Sequence, residues 1–477
     1  MRLREVTSAL TLVLAALLAA EPAPAQRAGM EDPWAPVDRD APVQPVLIEN
    51  GTLITMAGER IEGGSILLID GSIAAIGTDL DAPGDARVID ATGRFVTPGL
   101  VDAHSHIAAD AINEGSVNVS SMVGIEQVID PTDINIYREA AGGVTTSHVM
   151  HGSANPIGGK NAIIKHRWGE DAEGLVFRAA PPTIKFALGE NPRRVNFSFP
   201  GMPRRYPGTR MGVIDVIRQA FRDAVEYRAE WDAWRAGGRR GVPPARDLAL
   251  EPLVEVLEGE RFVHAHSYRA DEILQLMRLA EETGFRIAVF QHVLEGYKVA
   301  DEIREHGAMA STFSDWWAYK LEAYDAIPHN AALMTDRGVV VSINSDSPEE
   351  ARHLGQEAAK TMKWGGMTEE QALAMVTINP AVQLRVEDRV GSLEEGKDAD
   401  VVIWEGEPLS STSRVTTTIV DGRIVFDLEM DERRQEAIAA EKERLEKALE
   451  EDGDGEDDEE SEEPETEEPE PRKGGQR

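Results

Sequence analysis

The spacing of apolar positions divides the chain into distinct stretches. From Val46 onward, short β-rich runs are punctuated by glycine: Val46-Leu-Ile-Glu-Asn-Gly51, Ser65-Ile-Leu-Leu-Ile-Asp-Gly71, Ser72-Ile-Ala-Ala-Ile-Gly77 and Arg87-Val-Ile-Asp-Ala91. Asp70-Gly71 suits the tight turn of a hairpin, so these runs predict a small antiparallel sheet. It has too few strands to stand alone. A matching set returns as Ala399-Asp-Val-Val-Ile-Trp404, Val415-Thr-Thr-Thr-Ile-Val420 and Arg423-Ile-Val-Phe426, with Asp421-Gly422 as a second hairpin turn. The two sets are expected to combine into one composite β-sandwich from residues 46–97 and 386–427.

Between them the rhythm changes. Strand-like runs alternate with longer helical patterns, as in Arg261-Phe-Val-His264 before Ala270 to Thr283, and Arg286-Ile-Ala-Val-Phe-Gln-His292 before Gly296 to His306. Repeated βα units predict a parallel sheet. Their extent over residues 98–385 fits an α/β fold of the (β/α)8 TIM-like barrel type, with the sandwich flanking it. A doubly wound sheet is the competitor, but no Gly-x-Gly-x-x-Gly fingerprint follows the opening strand.

The two ends lack either rhythm. Arg2 and Arg4, the apolar run Ala9 to Ala20 and the small-x-small Ala23-Pro-Ala25 read as a signal peptide over residues 1–25, cleaved after Ala25. The run is short of the roughly 20 residues a membrane span needs. Residues 26–45 read as a linker. Residues 428–477 read as a charged helix running into a disordered acidic tail, and Glu450 to Glu470 holds 15 Asp or Glu. With no later span-length stretch, the mature chain is expected to be periplasmic or secreted, without a membrane span.

Composition narrows the chemistry. A formal net charge of -36 over 477 residues repels nucleic acid and anionic surfaces. There is no cysteine, so a thiolate is excluded as nucleophile or ligand. A metal must be held by imidazole, carboxylate or a modified lysine.

His104 and His106 close the run Leu100-Val-Asp-Ala103, and strand side chains two apart share a face. His264 and His266 repeat that spacing after Phe262-Val263. His292 and Asp346 end the runs Ile287 to Gln291 and Val339 to Asn344. All stand where parallel barrels keep their chemistry, at the C-terminal ends of strands. Lys185 and Glu190 in Thr183-Ile-Lys-Phe-Ala-Leu-Gly-Glu-Asn-Pro192 are further oxygen- or nitrogen-bearing candidates. Each alone has a plain structural reading: a loop histidine, a hydrogen-bonded interior histidine, or a lysine snorkelling from a strand.

Taken together, Thr97-Pro-Gly-Leu-Val-Asp-Ala-His-Ser-His106, the order His-x-His, His, His, Asp, and the closing Asn379-Pro-Ala and Val390-Gly-Ser-Leu-Glu-Glu-Gly-Lys-Asp-Ala-Asp400 resemble the metal-dependent amidohydrolase superfamily over roughly residues 46 to 427. Among its members the chain looks like the imidazolonepropionase-related and prolidase-like amidohydrolases. The resemblance implies metal ligands His104, His106, His264, His292 and Asp346 from strands 1, 5, 6 and 8. It also implies a bridging carboxylated Lys185 or, alternatively, Glu190, for one or two divalent ions per chain, zinc foremost. The ion lowers the pKa of water from 15.7 toward about 7. Asp346 would then move the proton to a leaving nitrogen, and His266 would contact the substrate or the developing oxyanion, although His264 and His266 can exchange roles.

Substrate contacts are less legible. Gly142-Gly-Val-Thr-Thr146 resembles a turn and second strand of the family, and His148, His151 and Asn155 lie just beyond it, as pocket residues or plain loop residues. Arg193 and Arg194 suit a carboxylate, as well as the surface of an acidic protein. The expectation is an exported metal-dependent hydrolase of an amide, peptide or cyclic-amide bond acting on a small-molecule or dipeptide-like substrate; a homo-oligomer is compatible with it. Two competitors remain: a mononuclear deaminase-like enzyme, and a non-catalytic exported binding protein on the same barrel.

Overall fold

The computed structural model describes residues 42–193 and 205–453. The expected signal peptide, most of the linker, Arg194 and the acidic tail from residue 454 lie outside the described residues.

Among the described residues, seven strands run parallel in two sheets. Leu100–Ser105 pairs in parallel with Val144–Val149, which carries the antiparallel Ala162–Lys165 on its other edge. The second sheet runs Val341–Ile343, Met309–Thr312, Ile287–His292, Phe262–Ser267, Thr183–Ala187, all parallel, then the antiparallel Ile157–Lys160. Every residue of Leu100–Ser105, Val144–Val149 and Ile287–His292 is buried, the pattern of strands covered on both faces.

Helices cover them through one apolar stripe each. In Ala270–Thr283 the buried positions Ile273, Leu276, Met277 and Ala280 recur at the helical period. Thr209 caps Arg210–Ala236 by accepting from the Gly212 N–H, and Thr368 forms a capping box with Gln371 at Glu369–Ala374. Among the described residues, no helix is long and apolar enough to cross a membrane.

The β-rich runs of both ends meet in one mixed eight-stranded sheet. Val401–Glu405 pairs antiparallel with Phe95–Pro98, which lies beside Val46–Leu53. Phe95–Pro98, which carried no strand signal in the sequence reading, is therefore the seam between the two halves. The hairpin turns fall where expected: Asp70 and Gly71 (φ 49° and 77°) join Ile61–Ile69 to Ser72–Gly77, and Asp421 and Gly422 (φ 47° and 76°) join Arg414–Val420 to Arg423–Asp427. Consecutive positive φ values are what a type I′ turn requires.

A buried ion network bonds this sheet to the strands beside it. The ammonium of Lys165, fully buried, lies 2.6 Å from Asp398, 2.5 Å from Asp421 and 3.3 Å from Asp400. Asp421 also takes Arg167 at 2.6 Å. The last described element, Leu428–Gly453, alternates charge with Ala, Ile and Leu and is mostly exposed.

Candidate active site

His104, His106 and Asp346 converge, with one ligand-capable atom from each lying within 4.8 Å of the others. Nε2 of His106 is 3.2 Å and Nε2 of His104 is 3.6 Å from Oδ1 of Asp346, and Nε2 of His292 is 3.9 Å from its Oδ2. The strand ends are pinned together here. The Asp346 N–H donates to the His104 carbonyl at 3.1 Å, while buried Asp102 receives the His104 and Ser345 N–H groups at 3.1 and 3.2 Å. His106 Nδ1 is fixed by the Met150 carbonyl at 2.9 Å. Asp346 (φ 49°) and His292 (φ 67°) both hold left-handed backbone conformations. Such conformations are costly for residues other than glycine and cluster at functional sites.

Lys185 and His264 are register partners on adjacent parallel strands, as are Ser267 and His292. Lys185, fully buried, places Nζ 3.1 Å from His104 Nε2. His264 Nδ1 is 3.1 Å from Gln291 Nε2. The His292 ring lies between two aromatic faces, Phe313 at 4.8 Å and Tyr268 at 5.5 Å, and 4.6 and 4.7 Å from the rings of His104 and His266. The structure thus gathers His104, His106, Lys185, His266, His292 and Asp346, with His264 beside Lys185 in the same sheet.

The other candidates are bonded to their own surroundings. His148 packs against His264 at 4.5 Å and its Nε2 meets Thr183 Oγ1 at 2.8 Å. His151 is committed at both nitrogens, to the Gly152 carbonyl at 2.8 Å and the Glu114 N–H at 3.0 Å. The Asn155 amide donates to Ser120 and to the Glu114 carbonyl. Glu190 sits apart from the histidines, 3.9 Å from Lys320, with its N–H donating to Glu322 at 2.9 Å. Arg193 is half-buried.

The electrostatics follow from burial. It holds His104, His266 and His292 well below the usual imidazole value, and His264 at about 3, so the rings are neutral, the form that ligates metal. Burial also lowers Lys185 to about 8, against the pull of the Asp346 carboxylate. For Asp346 burial works upward, but His106, His292 and Lys185 outweigh it and set the carboxyl at about 2. His264 Nε2, both nitrogens of His266 and Nδ1 of His292 are buried without a hydrogen-bond partner. An unmatched buried polar atom costs roughly 1–3 kcal/mol, and a divalent ion or a substrate oxygen is what such a donor set fits.

The sequence reading missed Tyr268, Phe313 and Lys320. Tyr268 had a signal, because it continues the two-residue spacing of His264 and His266. Asp102 stands in the same relation to His104. Phe313 and Lys320 follow a short strand in a stretch with no periodicity.

Parallel strands that bring histidines and a carboxylate together at their C-terminal ends are the arrangement of an α/β enzyme whose side chains could hold a divalent ion. Comparison with known proteins agrees. Residues 262–425 match the amidohydrolase family model. A solved amidohydrolase structure from Thermotoga maritima is 34% identical, covering 80% of this chain and 100% of that one, with a TM-score of 0.74. The amidohydrolase tasK of Hapsidospora irregularis is 32% identical over 80% of this chain, which spans 43% of that relative's length. The imidazolonepropionase of Brevibacillus brevis is 28% identical over 76% of this chain and 90% of its own. The chain belongs to the amidohydrolase superfamily, has its TIM-barrel-like α/β fold, and is a hydrolase acting on carbon–nitrogen bonds.

Proposed function

We propose that this chain is an exported, metal-dependent hydrolase that cleaves an amide, peptide or cyclic-amide bond with activated water. The observation that carries the reading is the convergence of His104, His106 and Asp346 with Lys185 Nζ 3.1 Å from His104. His104, His106, His264, His292 and Asp346 would hold the ion or ions, and a carboxylated Lys185 would bridge two of them. Bound there, a divalent ion such as zinc makes water more acidic and polarises a carbonyl.

The chain's own groups supply the rest. Asp346, anionic at neutral pH, takes the proton of the attacking water and returns it to the nitrogen as the carbon–nitrogen bond breaks. His266, with two unpartnered nitrogens, offers an N–H to the oxyanion. Phe313 and Tyr268 hold the plane of His292. A closed (β/α)8 barrel is supported by the Asp346-to-His104 backbone bond at one seam and the His148-to-Thr183 contact at the other. The mixed sheet is read as part of the flanking sandwich. Export rests on the basic, apolar and small-residue order of residues 1–25.

The test is metal content per chain by plasma mass spectrometry, on protein expressed with zinc and bicarbonate and purified without chelators. A screen of dipeptides, acyl amino acids and cyclic amides follows. About two ions with amide or peptide hydrolysis is the expected outcome. About one ion supports a mononuclear deaminase-like enzyme, in which neither Lys185 nor Glu190 bridges. A folded, metal-free, inert protein sinks the reading.

A further inference from the structure

We propose that Lys320 binds a carboxylate on the substrate, so that the compounds cleaved here are N-acyl amino acids or dipeptides with a free C-terminus. This rests on the hydrolase reading and narrows it.

Lys320 stands one aromatic ring away from the histidines. Its Nζ lies 4.2 Å from the centre of the Tyr268 ring and 5.5 Å from that of Tyr319. The same Tyr268 ring is edge-on to His266 at 4.6 Å and stacked with His292. The position is built rather than incidental. Glu322, whose side chain is 1% exposed, pairs with Lys320 at 3.0 Å and is itself fixed by Arg210 at 2.9 Å and by the Glu190 N–H. A cation held this way has lost its rotamer freedom before a ligand arrives, which lowers the cost of binding.

Two other described cations of this region are otherwise engaged. Arg210 is shared between Glu272 at 3.2 Å and Glu322, and Lys185 lies fully buried among the ligand histidines. Lys320 keeps 19% of its side chain exposed, and Glu190 at 3.9 Å is too far for a direct hydrogen bond. An ammonium has three donors, so it can take a carboxylate oxygen while it keeps Glu322. A hydroxyl pair stands beside it, Tyr319 and Tyr268 sharing a hydrogen bond at 2.6 Å. A cation and a hydroxyl a ring's width from the reacting centre match a carboxylate close to the scissile amide, as in an acylated amino acid.

Isothermal calorimetry with N-acetyl-L-alanine and N-acetyl-L-alaninamide separates the charge from the shape. The unaltered chain should bind the acid at least about tenfold more tightly than the amide. Lys320→Met should abolish the preference, and Lys320→Arg should restore most of it. Circular dichroism melts confirm that both variants fold. Equal binding of acid and amide, or a Lys320→Met chain that still prefers the acid, overturns the proposal. Turnover of the same compounds tests the underlying reading separately: acid-selective binding without hydrolysis keeps Lys320 and removes the hydrolase. Hydrolysis of amide and acid at equal rates keeps the hydrolase and removes Lys320.

Discussion

The Nζ of Lys185 lies 3.1 Å from Nε2 of His104, both side chains fully buried. Two groups that are cations when protonated do not share such a place at full charge. Burial lowers the lysine to about 8 and His104 further below its usual value, so a fraction of Lys185 is a neutral amine at pH 7. A neutral amine is the form that adds carbon dioxide: the N–C bond forms, a proton leaves, and an anionic oxygen ligand results. Lys185→Ala should therefore remove about one ion per chain and lower kcat by at least about tenfold. Unchanged metal content in the variant would rule out the bridge.

Asp346→Asn isolates the proton-moving group. Asn tolerates the left-handed backbone at φ 49° nearly as well as Asp, so the fold should survive. The variant lacks the negative charge that His106 and Lys185 stabilise, and it cannot accept a proton. The expected loss in kcat is about 10²- to 10⁴-fold with a near-normal circular dichroism spectrum. A variant with almost full turnover would move the proton transfer to another group.

Much of the site was legible because strand alternation is rigid. Residues two apart must share a face, so His104 with His106 and His264 with His266 followed from spacing alone. Asp346 was legible because it ends an apolar run. Lys320 was not, because its place depends on Glu322, Arg210 and Tyr268 from three separate parts of the chain, and no local pattern reports such a meeting. The same holds for Lys165 and its three aspartates. The fold divides similarly: the Asp-Gly turns specify their own hairpins, whereas Phe95–Pro98 becomes a strand between two partners distant in sequence, Val46–Leu53 on one edge and Val401–Glu405 on the other.

The Lys165 network should be a large contributor to stability. Removing one member of a buried ion cluster can leave an uncompensated buried charge, at a cost of about 3–5 kcal/mol. Lys165→Met matches the size of the side chain; Asp398 keeps Arg389 at 2.6 Å and Asp421 keeps Arg167, but buried Asp400 loses its cation. Its urea midpoint should fall by an amount equivalent to that cost, with no change in which substrates are taken. A variant as stable as the parent would mean that the aspartates protonate or rehydrate freely once the lysine is gone.

His151 supplies a pH dependence whose sign is fixed by its hydrogen bonds. One ring nitrogen meets the Gly152 carbonyl and the other accepts the Glu114 N–H, an arrangement open only to the neutral ring. Burial holds it at about 4, against an unfolded value near 6.5. Between those values the unfolded chain carries a proton that the folded chain does not, so folding weakens as pH falls, by about 1.4 kcal/mol per pH unit for this group. The loss begins near pH 6.5 and stops growing below about pH 4. Asp102, raised by burial to about 6, opposes it between its own unfolded value and pH 6, so the clean measure is a difference between chains. Urea unfolding of the parent and of His151→Gln should be run at several pH values from 7.5 to 4.5. Gln accepts the same N–H without titrating, so the variant's stability should decline more shallowly by about that slope. Two parallel curves would mean that His151 takes up its proton equally in the folded and unfolded chains.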